Sequence, residues 1–211
     1  MVGSVTALPL PRRPLTPGDR TRHWYENELG WKTVPGEPVH LVTGLRFDVL
    51  DVPAEAGFGA LRRLAPDSPV ALRGDRMRLL VAAGAADELP GLLDWLEWGA
   101  LALDLVALGA GGRMQAPLMP GPGHGPGPGP VAARPFPPGP CPPLQGAAVW
   151  LRPPVPGCEV ETSLPTLSAV GGAAMGGVGG APDLARLVDT VATQCHRVRL
   201  RRACAQPLAF S

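Results

Sequence analysis

A mixed α/β (α+β) domain is the fold class this sequence predicts, and three observations predict it. From His40 onward, short apolar runs of strand length alternate with segments whose leucines and valines recur at helical spacing. Gly74-Asp75 joins two such runs as a tight hairpin would. The 28 glycines and 28 prolines would indicate disorder if evenly spread, but 24 of them fall within residues 117–143 and 171–180. The remainder of the 211 residues is enough for one domain of moderate size, interrupted by two soft inserts.

Residues 1–38 are punctuated by proline, with a short helix predicted over Arg22 to Leu29 that carries Trp24 and Tyr25. A core spans 39–155. It opens with strands at His40 to Thr43 and Phe47 to Val52, separated by a turn at Gly44. Pro53 suits the first turn of the next helix, Glu55 favours its positive end, and Leu61 and Leu64 form its apolar stripe. Strands follow at Pro69 to Arg73 and Arg76 to Ala82. In Asp87 to Trp98, Leu89, Leu92, Leu93 and Leu96 fall at helical spacing, and Pro90 fits only in the first turn. Leu101 to Leu108 reads as a strand ended by Gly109 to Gly112. Two more strands are expected at Gly112 to Pro117 and Ala147 to Arg152, on either side of the 117–143 insert, whose composition favours a disordered loop. A glycine-rich linker, 156–181, leads to an amphipathic helix over 182–205. Its Leu184, Leu187, Val188, Val191, Cys195 and Val198 share one face, and its end is basic, from Arg197 to Arg202.

Nineteen basic and eighteen acidic residues give a net charge of +1, so no global field recruits nucleic acid or an anionic membrane, and any polyanion site must be local. All basic residues but Lys32 are arginine. No secretory signal is legible, because Val5 to Leu10 is short, broken by Pro9 and followed rather than preceded by basic residues. The longest uncharged stretches are the Pro/Gly segments, which make no spanning helix. The expectation is a cytoplasmic protein with no membrane partner. Cys141, Cys158, Cys195 and Cys204 show neither a Cys-x-x-Cys pair nor zinc-finger spacing to histidine, and read as reduced thiols.

Three carboxylates stand out because an acid inside an apolar strand needs a cation, a metal or a strand end. Asp48 and Asp51 lie in Phe47-Asp-Val-Leu-Asp-Val-Pro53, and Asp104 in Leu103-Asp-Leu-Val106. Strand side chains repeat with period two, so Asp48 and Asp51 face opposite ways and do not grip one ion together. Pairing with one of the many arginines, or capping a helix, is the plain structural alternative for each.

Taken in order, Val42-Thr-Gly44, Phe47 to Val52, a helix, the hairpin through Gly74, Leu79-Leu-Val81, Leu103-Asp-Leu105, a glycine cluster, Ala116-Pro117 and Val149-Trp-Leu-Arg-Pro-Pro154 resemble the bifunctional DNA primase/polymerase N-terminal (prim-pol) domain of the archaeo-eukaryotic primase superfamily. The resemblance covers about residues 30 to 155 and rests on segment order. It implies an RRM-type sheet with packed helices and a two-metal nucleotidyl-transfer site holding Mg²⁺ or Mn²⁺. In the family's hydrophobic-Asp-x-Asp motif, Asp51 takes the first acidic place and Pro53 the second, where proline offers no ligand. The Ser/Thr-Gly-Gly-x-His motif is matched by Arg73-Gly-Asp-Arg-Met77, with Met77 in the histidine's place. Asp104 matches the third acid. The resemblance therefore implies a degenerate member, with Asp51 and Asp104 as vestigial catalytic and metal residues.

Arg73, Arg76 and Arg78 are candidate nucleotide or phosphate contacts, Arg76 and Arg78 from one strand face; a solvated hairpin face is the alternative. The expected function is a non-catalytic prim-pol-like domain that binds nucleotide or DNA, or regulates. An active minimal primase/polymerase is the first alternative. The second is an interaction protein that docks a partner through Pro135-Phe-Pro-Pro138 and Pro140-Cys-Pro-Pro143 as polyproline II, or through Arg197 to Arg202. Trp24, Trp31, Trp95, Trp98 and Trp150 read as packing residues more than as stacking platforms.

Overall fold

The structure, a computed structural model, describes residues 16–119, 146–167 and 183–204. Most of the Pro/Gly-rich insert, including both polyproline motifs and Cys141, lies outside those residues, as does the glycine run at 171–180. The described residues include eight strands: β1 (Thr33–Val34), β2 (His40–Val42), β3 (Phe47–Pro53), β4 (Val70–Arg73), β5 (Arg76–Ala82), β6 (Val106–Leu108), β7 (Arg113–Gln115) and β8 (Val149–Arg152). The helices are α1 (Pro17–His23), α2 (Ala54–Ala60), α3 (Ala85–Trp95) and α4 (Leu184–Cys204). Among them no helix is long and apolar enough to cross a membrane.

The main sheet grows from the β4–β5 hairpin, where Gly74 adopts a φ of 58°, the left-handed value that glycine takes without a Cβ clash. β5 then pairs antiparallel with β3 from Phe47↔Ala82 to Pro53↔Arg76, and β3 with β6 from Val49↔Leu108 to Asp51↔Val106. The resulting order is β6-β3-β5-β4-β8, and the chain path β3-α2-β4-β5-α3-β6 within it is the split βαβ arrangement of an RRM-type sheet. A second, three-stranded antiparallel sheet has the order β1-β2-β7.

Alternation along the strands builds two cores. Leu50, Val52, Met77, Leu79 and Val81 face the helices and meet the α4 stripe of Leu187, Val188, Val191, Cys195 and Val198. On the other face, Phe47, Val49, Ala71 and Leu80 pack against Tyr25, Trp31, Leu41 and Met114, supplied by the N-terminal region and the small sheet. Tyr25 is fully buried. Its hydroxyl donates to the Pro117 carbonyl (2.8 Å) and accepts from Trp150 Nε1 (2.9 Å), joining three distant segments, and burial pushes its ionisation upward. Trp31 is buried in this core, whereas Trp95 projects into solvent from α3.

Several boundaries differ from expectation. The first helix starts at Pro17 because Thr16 and Asp19 form a reciprocal capping box, and a π-helical turn over Trp24–Glu28 follows it. Pro53 ends β3 and stands at the N-cap of α2 instead of opening the helix. α3 begins at Ala85, so Pro90 lies beyond its first turn. The early start is fixed by Asp48, whose Oδ2 accepts the Ala86 amide (2.9 Å) where Gly84 has no side chain to cap with. The strand expected from Leu101 shrinks to Val106–Leu108, since the preceding loop is tied sideways: Arg199 Nη1 donates to the Ala102 carbonyl (2.6 Å) and the Cys195 thiol points at the Asp104 carbonyl (3.7 Å). Within the predicted linker, Val160–Ser163 form a 3₁₀ turn that buries Val160 and Leu164 in the second core.

Candidate functional site

Strand register assembles the site. Asp51 faces Arg78 across β3 and β5, and Pro53 faces Arg76 one pleat further along. Arg73 pairs with Arg76 across the hairpin, so Arg73, Arg76 and Arg78 share the sheet face that carries Asp51. Asp104 stands in the bend just before β6, beyond the last β3–β6 pair at Asp51↔Val106, and lines one cleft with Pro53. Three residues scattered through the sequence thereby meet at one corner of the sheet.

Asp51 is the hub. Its Oδ1 accepts from Arg76 Nε at 2.6 Å, its Oδ2 from Arg78 Nε at 2.9 Å, and its backbone carbonyl from Arg76 Nη2 at 2.8 Å. Arg76 Nη1 reaches Asp104 Oδ1 at 2.5 Å, so one guanidinium spans both carboxylates. Arg202, from the last turn of α4, stands 3.9 Å from Asp104 Oδ2. Side-chain exposure divides the group into an inner and an outer half: Asp51 is 14% and Arg78 8% exposed, against 26% for Arg76 and 48% for Asp104. Burial pulls the Arg76 guanidinium down, but its hydrogen bonds to Asp51 and Asp104 outweigh that and hold it above its ordinary value. It stays a cation. Arg78 Nη1 is buried without a hydrogen-bond partner. Arg73 is exposed and forms no hydrogen bond or ion pair among the described residues.

No match was found among protein-family models, curated proteins or solved structures.

A divalent ion of the Mg²⁺ or Mn²⁺ kind takes about six oxygen ligands, commonly including one or two carboxylates. Asp51 and Asp104 are the carboxylates expected as ligands from the sequence, and both turn toward Arg76. Among the described residues no group of three or more His, Cys, Asp or Glu side chains is arranged to hold an ion. The guanidinium supplies the positive charge in this corner, so the residues present do not fit a resident metal. Pro53, level with Arg76, adds a ring where a third carboxylate would help.

The remaining predicted positions fall elsewhere. Met77, matched by sequence to a histidine, is buried on the helix side against α2, and the side chains that β5 turns toward the site are Arg76 and Arg78. Asp48 lies on the opposite face from Asp51, as strand alternation requires. One carboxylate oxygen caps α3, the other has no partner, and burial pushes its ionisation up. Cys195 is buried beneath Asp104, and burial, with the Asp104 charge, pushes its thiol up to about 11. Arg199 and Arg202, named in the sequence only as members of a basic helix end, tie α4 to the loop that presents Asp104. No local pattern predicts that contact, because 97 residues separate Arg199 from Ala102.

Proposed function

We propose that the chain is a prim-pol-like domain that has exchanged nucleotidyl transfer for a non-catalytic role in binding nucleotide or nucleic acid. One observation carries the reading: the two carboxylates that match the family's metal ligands both hold the guanidinium of Arg76. Metal-dependent phosphoryl transfer draws most of its rate from cations placed against the developing charge of the phosphoryl group. A tethered guanidinium already neutralised by two carboxylates is a poor substitute. The RRM-type strand order supports the fold half of the reading, and the engagement of both carboxylates by Arg76, with no third His, Cys, Asp or Glu grouped with them among the described residues, supports the loss of chemistry.

Primer extension with deoxynucleoside triphosphates and Mn²⁺ tests the non-catalytic half. The expected result is no extension above the background of Asp51→Ala and Asp104→Ala; extension by the unmodified protein that both variants abolish overturns it. A mobility-shift titration of a labelled single strand, together with calorimetry on a nucleoside triphosphate, tests the binding half. The lack of both a shift and heat refutes it.

A further inference from the structure

On the helical side of the domain, α2 and its 3₁₀ continuation Leu61–Arg63 run alongside α4; Ala56 and Ala60 share the buried core with the apolar stripe of α4, and the outer rim of the contact is basic and polar. Arg186, Thr190, Gln194, Arg197 and Arg201 recur at intervals of three or four and so form one stripe along α4, about 22 Å long at ~1.5 Å per residue. Three contacts fix the orientation of that stripe toward α2. Arg201 pairs with Glu55, a Cβ on Gly59 would come within 2.8 Å of Gln194 Cγ, and Arg63 Nε donates to Thr190 Oγ1 at 3.2 Å. Between the helices lies a cleft of about 390 Å³ lined by Gly59, Arg62, Arg63, Thr190 and Gln194.

Among the described residues no carboxylate lines this cleft. Glu55 is taken by Arg201 at one end of the stripe, and Asp183 stands 3.5 Å from Arg186 at the other. Arg62 and Arg197 form no ion pair or hydrogen bond among the described residues. The Thr190 hydroxyl donates to the Arg186 carbonyl (2.8 Å) while it accepts from Arg63, which holds the Arg63 side chain by its Nε and leaves both Nη groups uncommitted. Paired guanidiniums beside neutral hydrogen-bonding groups suit phosphate oxygens, which the planar fork engages through two parallel bonds. Arg62, Arg63 and Arg197, the cations here without a carboxylate partner, offer the several contacts that successive phosphates along a backbone take.

We infer that the α2–α4 cleft is a phosphate-backbone site for single-stranded nucleic acid, with Arg62 and Arg63 as its principal contacts and Arg197 extending it. This rests on the nucleic-acid-binding reading above and moves its phosphate contacts away from the Asp51 corner, where Arg76 and Arg78 are already engaged by carboxylates. The source of the positive field is local, as a chain of net charge +1 requires.

The test is fluorescence anisotropy of a labelled 15-nucleotide single strand against the whole chain and its Arg62→Ala/Arg63→Ala and Arg197→Ala variants, across a salt series. All three arginines are exposed, so the variants are expected to unfold at the wild-type temperature. The double variant should weaken binding at least tenfold and flatten the dependence of log K on log salt by about 1.4, at ~0.7 per lost single-strand phosphate contact. Arg197→Ala should give a smaller loss of the same sign. Binding that is intact in the double variant but lost in Arg73→Ala overturns the inference and leaves the binding reading standing. No binding by the unmodified protein at low salt refutes both. Polyglutamate competing as well as unlabelled strand, charge for charge, overturns the assignment in favour of an acidic peptide.

Discussion

Replacing Asp51 with alanine should destabilise the domain far more than replacing Asp104, although both contact the same arginine. Asp51 accepts the Nε groups of Arg76 and Arg78, and its side chain is only 14% exposed. Its removal strands Arg78, which is 8% exposed and already has one Nη without a partner. Breaking a buried pair from one side costs about 3–5 kcal/mol, because the charge left behind has lost both water and partner. Asp104 is 48% exposed, so solvent screens its pairing with Arg76 and the expected loss is about 0–1 kcal/mol. For a domain of this size, at about 2–4 °C per kcal/mol, Asp51→Ala should lower the midpoint by roughly 6–20 °C. Equilibrium urea denaturation followed by circular dichroism measures the difference, with the slope of the transition unchanged. Asp51→Ala/Arg78→Met should recover much of the loss, since an apolar side chain of similar volume does not need the missing carboxylate. Equal losses for Asp51→Ala and Asp104→Ala, or a loss below about 1 kcal/mol for Asp51→Ala, would refute the assignment of Asp51 as the hub of the site.

Further expectations concern the frame around the site. Burial raises the Asp48 pKa in the folded chain, so its contribution to stability is full below the ordinary carboxylate value and is lost as pH rises through the raised one. Urea midpoints measured from pH 4 to pH 8 should therefore decline more for the unmodified protein than for Asp48→Asn, and identical profiles would contradict this. Tyr25→Phe leaves the Pro117 carbonyl and Trp150 Nε1 without their partner, and should cost about 1–3 kcal/mol by thermal or urea unfolding. Gly57→Ala sets a Cβ 2.3 Å from Met77 Sδ and should cost about 1–3 kcal/mol. Shortening the neighbour, in Gly57→Ala/Met77→Ala, should make the alanine at 57 less harmful than it is opposite methionine.

Much of the frame was legible because it is written in local chemistry. The Gly74 turn, the apolar run within Arg76–Ala82 and the six-residue stripe of α4 each declare themselves within a few residues, and the structure places them where they were expected. Boundaries moved where a distant side chain decided them. Asp48 pulls the start of α3 back to Ala85, and Arg199 and Cys195 hold the loop before β6 out of the sheet. The candidate site was legible as a set of residues and not as an arrangement. Asp51 and Asp104 stood out as strand acids, and Arg76 and Arg78 as cations sharing one face. Period-two alternation also separated Asp48 from Asp51 correctly. That Arg76 lies between the two acids depends on the register of β3 against β5 across 25 residues, which no window of sequence contains. Pairing with an arginine, the plain structural alternative for each acid, is the arrangement the fold gives Asp51 and Asp104.

The Arg76 guanidinium spans the carboxylates of Asp51 and Asp104, the two groups that would otherwise be open to a divalent cation. Calorimetric titration with Mn²⁺ measures this most directly, comparing the unmodified protein with Arg76→Ala, Asp51→Ala and Asp104→Ala. The predicted result is no saturable heat from the unmodified chain and saturable heat once Arg76 is removed and its two carboxylates are released to the ion. Saturable Mn²⁺ binding by the unmodified protein that disappears in both Asp51→Ala and Asp104→Ala would contradict the account.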